Sequence, residues 1–283
     1  MIIRANAKIN LTLDITGKRA DGYHLIDSVF QSVSAADIVE VQSNDKITVG
    51  CERFFGGDDI NGEKNIAFKA AKEFFAFAGI SGGAKINIEK YIPVCAGLGG
   101  GSADAAAVIY ALNSIYKTGL SREELTKIAL KCGADVPFFL FGGTARVRGI
   151  GEEVEKLGFI GDFAVLIVRG GDKKSTADMY KKLDLMPDLK KQTGRFCELL
   201  EAGEKTEALK GCGNAFLPVQ DDNGVLKLLS EFNPIAASLS GSGPSYFAVF
   251  ENEKSALAAA DELQKRGISS VAARFERFGI AAE

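Results

Sequence analysis

The sequence predicts an α+β protein of two domains, residues 1–155 and 156–283. Three observations carry that prediction. The first half is dominated by runs in which apolar and polar residues alternate, a glycine-rich stretch then leads into helical patterns, and beyond Gly151 strand and helix patterns interleave in an order compatible with a split-βαβ sandwich. At 283 residues the chain suits two domains or one large one.

In chain order, Ile9, Leu11, Leu13 and Ile15 alternate with polar neighbours, which predicts a strand with one buried face. Strands are also expected at 38–41, 47–49 and 85–88. Ile66, Ala70, Phe74 and Phe77, flanked by Ala67, Ala71, Phe75 and Ala78, form a helical stripe. Two further helices begin at Ser102 and Ser121, and Ser121 with Glu124 is a capping box. The domain boundary falls near 152–162. Beyond it we expect strands at 163–168, 235–239, 245–250 and 270–275, and helices at 176–183, 225–232 and 254–266.

Composition narrows the function. Apolar residues make up 46% and charged ones 25%, as in an ordinary globular protein. A net charge of -3 with dispersed basic residues gives no footprint for nucleic acid or an anionic membrane. Cys51, Cys95, Cys132, Cys197 and Cys212 are odd in number and form no CxxC pair, which reads as free thiols in a reducing compartment. The N-terminus alternates rather than carrying a signal-peptide core, and no apolar run reaches the roughly eighteen residues of a membrane span. These features predict a soluble cytoplasmic protein with a small-molecule partner. Oligomeric state has no signature in the sequence.

The richest segment is Pro93, Val94, Cys95, Ala96, Gly97, Leu98, Gly99, Gly100, Gly101, Ser102 and Ala103, which runs into an alanine-rich helix. Glycines let backbone approach phosphate oxygens, and a helix N-terminus offers unpaired N–H groups with about half a positive charge. The segment is no Walker A loop, since no lysine follows the glycines, and no dinucleotide fingerprint, since Ser102 stands at the third glycine position. It reads either as a nucleotide phosphate cradle or as a flexible turn capped by Ser102, with small residues for close packing. Consecutive glycines in a plain turn cost up to about 1 kcal/mol each relative to alanine, which favours the cradle.

Three other segments are punctuated by glycine: AKINL…RADGYHL near the N-terminus, GADVPFFLFGG in the middle and SLSGSGPSYF near the end. With GLGGGSADAA, they resemble the GHMP kinases, the group of galactokinase, homoserine kinase, mevalonate kinase and phosphomevalonate kinase. The resemblance runs over essentially the whole chain. It implies a two-domain fold with a β-rich, ATP-binding N-terminal part and a ferredoxin-like C-terminal part. The RADGYH pattern points within the group to phosphorylation of the 2-hydroxyl of a cytidine diphosphate-linked methylerythritol. ATP is the implied donor, and Mg2+ its counterion. No metal site of the chain's own is predicted. A kinase for another small molecule, or a non-catalytic nucleotide-binding relative, is the alternative.

Site residues follow from the resemblance position by position. Lys8, which on pattern alone lies on a solvent face, becomes the partner of Asp135, the implied general base. Asp135 alone reads as the N-cap of a helix running into Phe138 to Phe141, with Pro137 in its first turn. Tyr23 and His24 match residues that hold the cytosine ring, although a lone histidine is more often structural. Asn10, on the same strand face as Lys8, would point at the polyol, and the loop with Ser242 and Gly243 would close over it. Asn65 and Lys90 match positions near adenine and ribose, and otherwise read as a helix cap and a strand-end lysine. Ser102 is placed to touch phosphate or Mg2+. Asp104 must face away from a triphosphate or act through a cation. Two departures fall on the expected outer wall of the substrate site: 170–174 lacks the proline usual before Ser175, and Ala215 replaces an acidic residue.

Overall fold

β1 (Ile2–Lys18) and β2 (His24–Asn44) form one long antiparallel ribbon with register shifts at Asn6/Ala7, Asn10/Thr12 and Ile15/Gly17. The computed structural model describes residues 1–54, 60–172, 174–186, 189–221 and 223–283. β3 (Thr48–Arg53) and α1 (Ile66–Ala78) follow, then β4 (Gly83–Lys90), parallel to β3 and antiparallel to β2. The helices α2 (Gly100–Ile115), α3 (Arg122–Cys132) and α4 (Val136–Phe141) precede β5 (Thr144–Gly149) on β2 and β6 (Glu153–Lys156) on β5. Both arms of the expected capping box at Ser121 and Glu124 are present.

The second sheet has the order β11-β7-β10-β9. β7 (Ala164–Arg169) is followed by α5 (Thr176–Leu183), α6 (Thr193–Glu201), α7 (Lys205–Lys210), the short β8 (Gly213–Asn214) and α8 (Val225–Ser230). β9 (Ala236–Leu239) and β10 (Ser245–Phe250) are adjacent antiparallel strands, and α9 (Glu253–Lys265) connects to β11 (Ser270–Arg274). β7 lies inside the sheet, antiparallel to β10 on one side and to β11 on the other, which gives the expected split-βαβ arrangement with α6, α7 and β8 inserted. The last strand, β12 (Ile280–Ala282), returns to pair with β1, and β8 pairs with β1 in parallel. The first sheet therefore takes strands from both sides of residue 155.

The one-faced reading of β1 does not hold. Every residue from Ala5 to Asp14 is buried, polar and apolar alike. Ile3 and Ala5 join the core over α1 and α2, whereas Ala7, Ile9 and Leu11 join a second core shared with Ile167, Phe196 and Phe247. Asn6, Lys8, Asn10, Thr12 and Asp14 are buried as well and bond to protein neighbours, with Asp14 Oδ1 left without a partner. Asp14 Oδ2 accepts the N–H groups of Gln192 and Thr193. The alanines of α2 are buried on nearly all sides, which lets that helix lie close beneath the sheet. Among the described residues no helix is long and apolar enough to cross a membrane.

Candidate active site

The glycine-rich segment leaves β4 at Lys90 and re-enters helix at Gly100. Gly99 is the N-cap of α2, in left-handed conformation at φ 71°, and no side chain caps the helix. Ser102 is therefore the third residue of the helix and not its cap, and the first-turn N–H groups face outward uncovered by a capping oxygen. A Cβ on Gly97 would strike the Ser240 carbonyl, one on Gly99 would lie 2.6 Å from Phe139 Cζ and 3.1 Å from Lys8 Cγ, and one on Gly100 would lie 2.8 Å from Lys90 Nζ. Close packing thus explains these three glycines. Gly101 meets only Ile66 Cγ2, at 3.4 Å.

A cavity of about 340 Å3 is lined by Pro93, Val94, Cys95, Ala96, Gly97, Gly99, Gly100, Gly101 and Ser102, with Asn65, Lys90 and Asp104. Leu98 and Ala103 do not line it. Their side chains lie in the core, and the Leu98 carbonyl instead accepts the Lys8 N–H at 2.9 Å. Asn65 is the N-cap of α1, accepting from Ala67 N–H and donating to the Ile60 carbonyl, both at 2.9 Å, while also bordering the cavity. Lys90 is 3% exposed at the cavity floor, bonded to Asp37 and Asp104. Asp104 so acts through a cation, and that cation is a lysine.

Lys8 and Asp135 converge beside the cradle. Lys8 Nζ stands 3.8 Å from Asp135 Oδ2, donates to Asn10 Oδ1 at 2.6 Å and lies 4.5 Å above the Phe30 ring. Burial lowers the pKa of this lysine, and the Asp135 charge partly restores it. Asp135 occupies the N-cap position of α4, but its side chain makes no capping hydrogen bond. The carboxylate, 35% exposed, is left to Lys8 and the open cleft. Asn10 does not face that cleft: it is 1% exposed, accepts Gly241 N–H at 2.8 Å and donates to Ser28 Oγ at 3.0 Å. It ties β1 to the loop of Ser240 to Pro244.

That loop closes on the cradle from the second sheet. Ser240 Oγ donates to the Gly97 carbonyl at 2.9 Å, and Ser245 N–H donates to Ala96 at 3.2 Å. Asn214 Nδ2 donates to the Leu239 and Gly241 carbonyls, each at 2.8 Å, and Ser242 Oγ meets Thr176 Oγ1 at 2.9 Å. Ala215 is buried and pairs its N–H with Leu13, so it contributes no polar group to a wall. Within 170–174, Lys173 lies outside the described residues.

His24 opens β2 with Tyr23, 61% exposed, beside it. Its Nε2 lies 2.6 Å from Asp184 Oδ1, and its ring stacks on Tyr180 with centroids 4.2 Å apart. Lys18 Nζ reaches the other Asp184 oxygen at 2.5 Å. Burial, and then the Asp135 charge, push the Tyr180 phenol up to about 12. Thr176, Tyr180 and Asp184 were not anticipated. Their spacing of four, along α5 and onto its C-cap Asp184, is the signal that could have found them.

An uncapped helix start, a buried lysine against a partly open carboxylate and an aromatic–imidazole corner are groups that a small-molecule kinase could use. The chain belongs to the GHMP kinase family, matching the GHMP kinases N terminal domain over 65–143 and the GHMP kinases C terminal model over 215–269. Relatives named 4-diphosphocytidyl-2-C-methyl-D-erythritol kinase include one from Caldicellulosiruptor saccharolyticus, 39% identical over 93% of each chain. Another, from Carboxydothermus hydrogenoformans, is 42% identical over 90% of each. A crystal structure of 4-(cytidine 5'-diphospho)-2C-methyl-D-erythritol kinase superposes with a TM-score of 0.76 at 31% identity, covering 97% of this chain and 99% of that one. Homoserine kinase from Cytophaga hutchinsonii, at 20% identity and a TM-score of 0.71, shares the fold.

Proposed function

We propose that this protein transfers the γ-phosphoryl group of ATP to the 2-hydroxyl of 4-diphosphocytidyl-2-C-methyl-D-erythritol, in isoprenoid precursor synthesis in the cytoplasm. The observation that carries the reading is the convergence of Lys8 and Asp135, from distant parts of the chain, against Gly99 of the cradle. ATP phosphates sit at the first turn of α2, with Asn65 and Lys90 on the adenine and ribose side of the cavity. Asp135 takes the hydroxyl proton as the oxygen attacks the γ-phosphorus and the bond to the ADP oxygen breaks. Lys8 orients the Asp135 carboxylate and offsets charge on the transferring group. Because the transition state is loose, positioning by these groups matters as much as basicity.

Tyr23 and His24 hold the cytosine, and Ser242 and Gly243 cover the polyol. Mg2+ is expected to enter with ATP. When bound it neutralises phosphate charge.

Purified protein incubated with ATP, Mg2+ and a panel of polyols should release ADP with the cytidine-linked methylerythritol alone. Equal turnover of the free polyol would remove the cytidine from the recognition. Absence of ADP with every member would remove the kinase.

A further inference from the structure

We propose that Asp37, Lys90 and Asp104 form a buried clamp that holds the two ends of the phosphate cradle together, and that Lys90 acts on nucleotide through this clamp. The inference rests on the cradle being the ATP site. The cradle leaves β4 through Tyr91 and Ile92 and returns as α2. Asp37, on β2, accepts both the Tyr91 and Ile92 N–H groups at 2.7 Å with one oxygen and the Lys90 ammonium with the other. The same ammonium donates to Asp104 Oδ2, in the second turn of α2, at 2.7 Å. One nitrogen thereby links the exit of the loop to the helix that receives it.

The side chains of Asp37, Lys90 and Asp104 are 0%, 4% and 2% exposed. Desolvation offsets most of what such a buried ion cluster gains in attraction, so position is what the clamp contributes. Burial alone would lower the pKa of Lys90, but the two carboxylates outweigh it and hold the lysine charged. The helix start leans directly on the clamp, because a Cβ at Gly100 would meet Lys90 Nζ at 2.8 Å and Ile92 Cγ2 at 2.9 Å. Two of the three ammonium donors are committed to carboxylates, and neither aspartate is open to a ligand. A preorganised cradle meets phosphate without first ordering its backbone.

The test uses the full chain with Asp37→Asn, Asp104→Asn and Lys90→Met, alone and in pairs. Affinity for N-methylanthraniloyl-ATP, KM for the acceptor and amide exchange over 93–101 are the readouts. Each single variant should weaken the nucleotide analogue by about tenfold or more, leave acceptor KM within about twofold, and speed exchange in 93–101 but not in α3. Paired variants should be little worse than single ones, since the three act as a unit. If Lys90→Met does not fold, Lys90→Arg, which keeps the charge but displaces it, should show the same pattern at smaller size.

The clamp is overturned if Lys90→Met alone weakens the analogue while both aspartate variants bind like wild type, since Lys90 would then contact nucleotide directly. It is equally overturned if the variants lose thermal stability yet, while folded, keep wild-type affinity and exchange. Failure of wild-type protein to bind the analogue would strike the ATP reading instead, and the exchange measurement would still decide the clamp.

Discussion

Asp135 sits where a helix cap belongs and does not cap, leaving its carboxylate facing Lys8 across 3.8 Å. Asp135→Asn keeps the shape and removes the charge, so folding should survive while kcat falls by about a hundred- to ten-thousand-fold with little change in KM for ATP. Lys8→Met should lose a comparable factor, and the double variant should be barely worse than either, because the pair works as one unit. Steady-state kinetics check this, and strictly additive losses would mean independent roles. Asp104 makes a separate prediction about stability. Burial raises its carboxyl to about 7, with Lys90 pulling back and Asp37 adding to the rise. A free aspartate titrates near about 4, so the native state binds this proton more tightly than the unfolded chain does. That contribution is complete below the unfolded value and disappears as pH climbs through about 7. Urea midpoints of wild type should accordingly fall relative to Asp104→Asn between about pH 5 and 8, and a constant difference would show Asp104 ionised throughout.

Among the elements, α5 and β10 begin and end where periodicity places them, and the Ser121 cap is complete, because these signals are local. β2 is far longer than the 38–41 stretch that its apolar residues mark. Ser28, Gln31 and Ser32 interrupt the pattern yet are fully buried, with Gln31 accepting from Thr144 Oγ1 and donating to the Glu276 carbonyl. A reading that equates polar with solvent cannot find a polar seam, and for the same reason Lys8 looked like a surface residue. Asp37 and Asp184 escaped notice because what they hold lies 53 and 160 residues away. The cradle helix supplies the element-scale prediction. Gly100→Ala pushes a methyl onto Lys90 and Ile92 and should destabilise by about 1–3 kcal/mol, whereas Gly101→Ala meets only Ile66 and should leave stability unchanged or slightly raised. If the first turn receives phosphate, Gly101→Ala should nevertheless weaken ATP, and calorimetry on the folded variant decides that.

Across the whole molecule the two sheets are not separable at residue 155. The Asn6 N–H donates to Gly279 at 2.8 Å, Ile3 to Ala5 pair with Ile280 to Ala282, and Thr12 and Leu13 pair with Gly213 and Asn214. One core takes Ala7, Ile9, Leu11, Val29 and Val33 from the first sheet's ribbon and Ile160, Ile167, Phe196, Phe247 and Phe275 from beyond it. Residues 1–155 expressed alone would expose that apolar face and leave an edge of β1 unpaired, next to Lys8. A domain able to fold by itself needs its own closed core, and this half lacks part of its own. The fragment is therefore expected to give no cooperative thermal transition and to aggregate, and co-expression with residues 156–283 should restore a soluble complex with a single transition. A sharp, reversible transition from the isolated fragment would instead mean that β1 holds Lys8 in place without its C-terminal neighbours, and that the strands returning from the far end of the chain serve only to cover an edge.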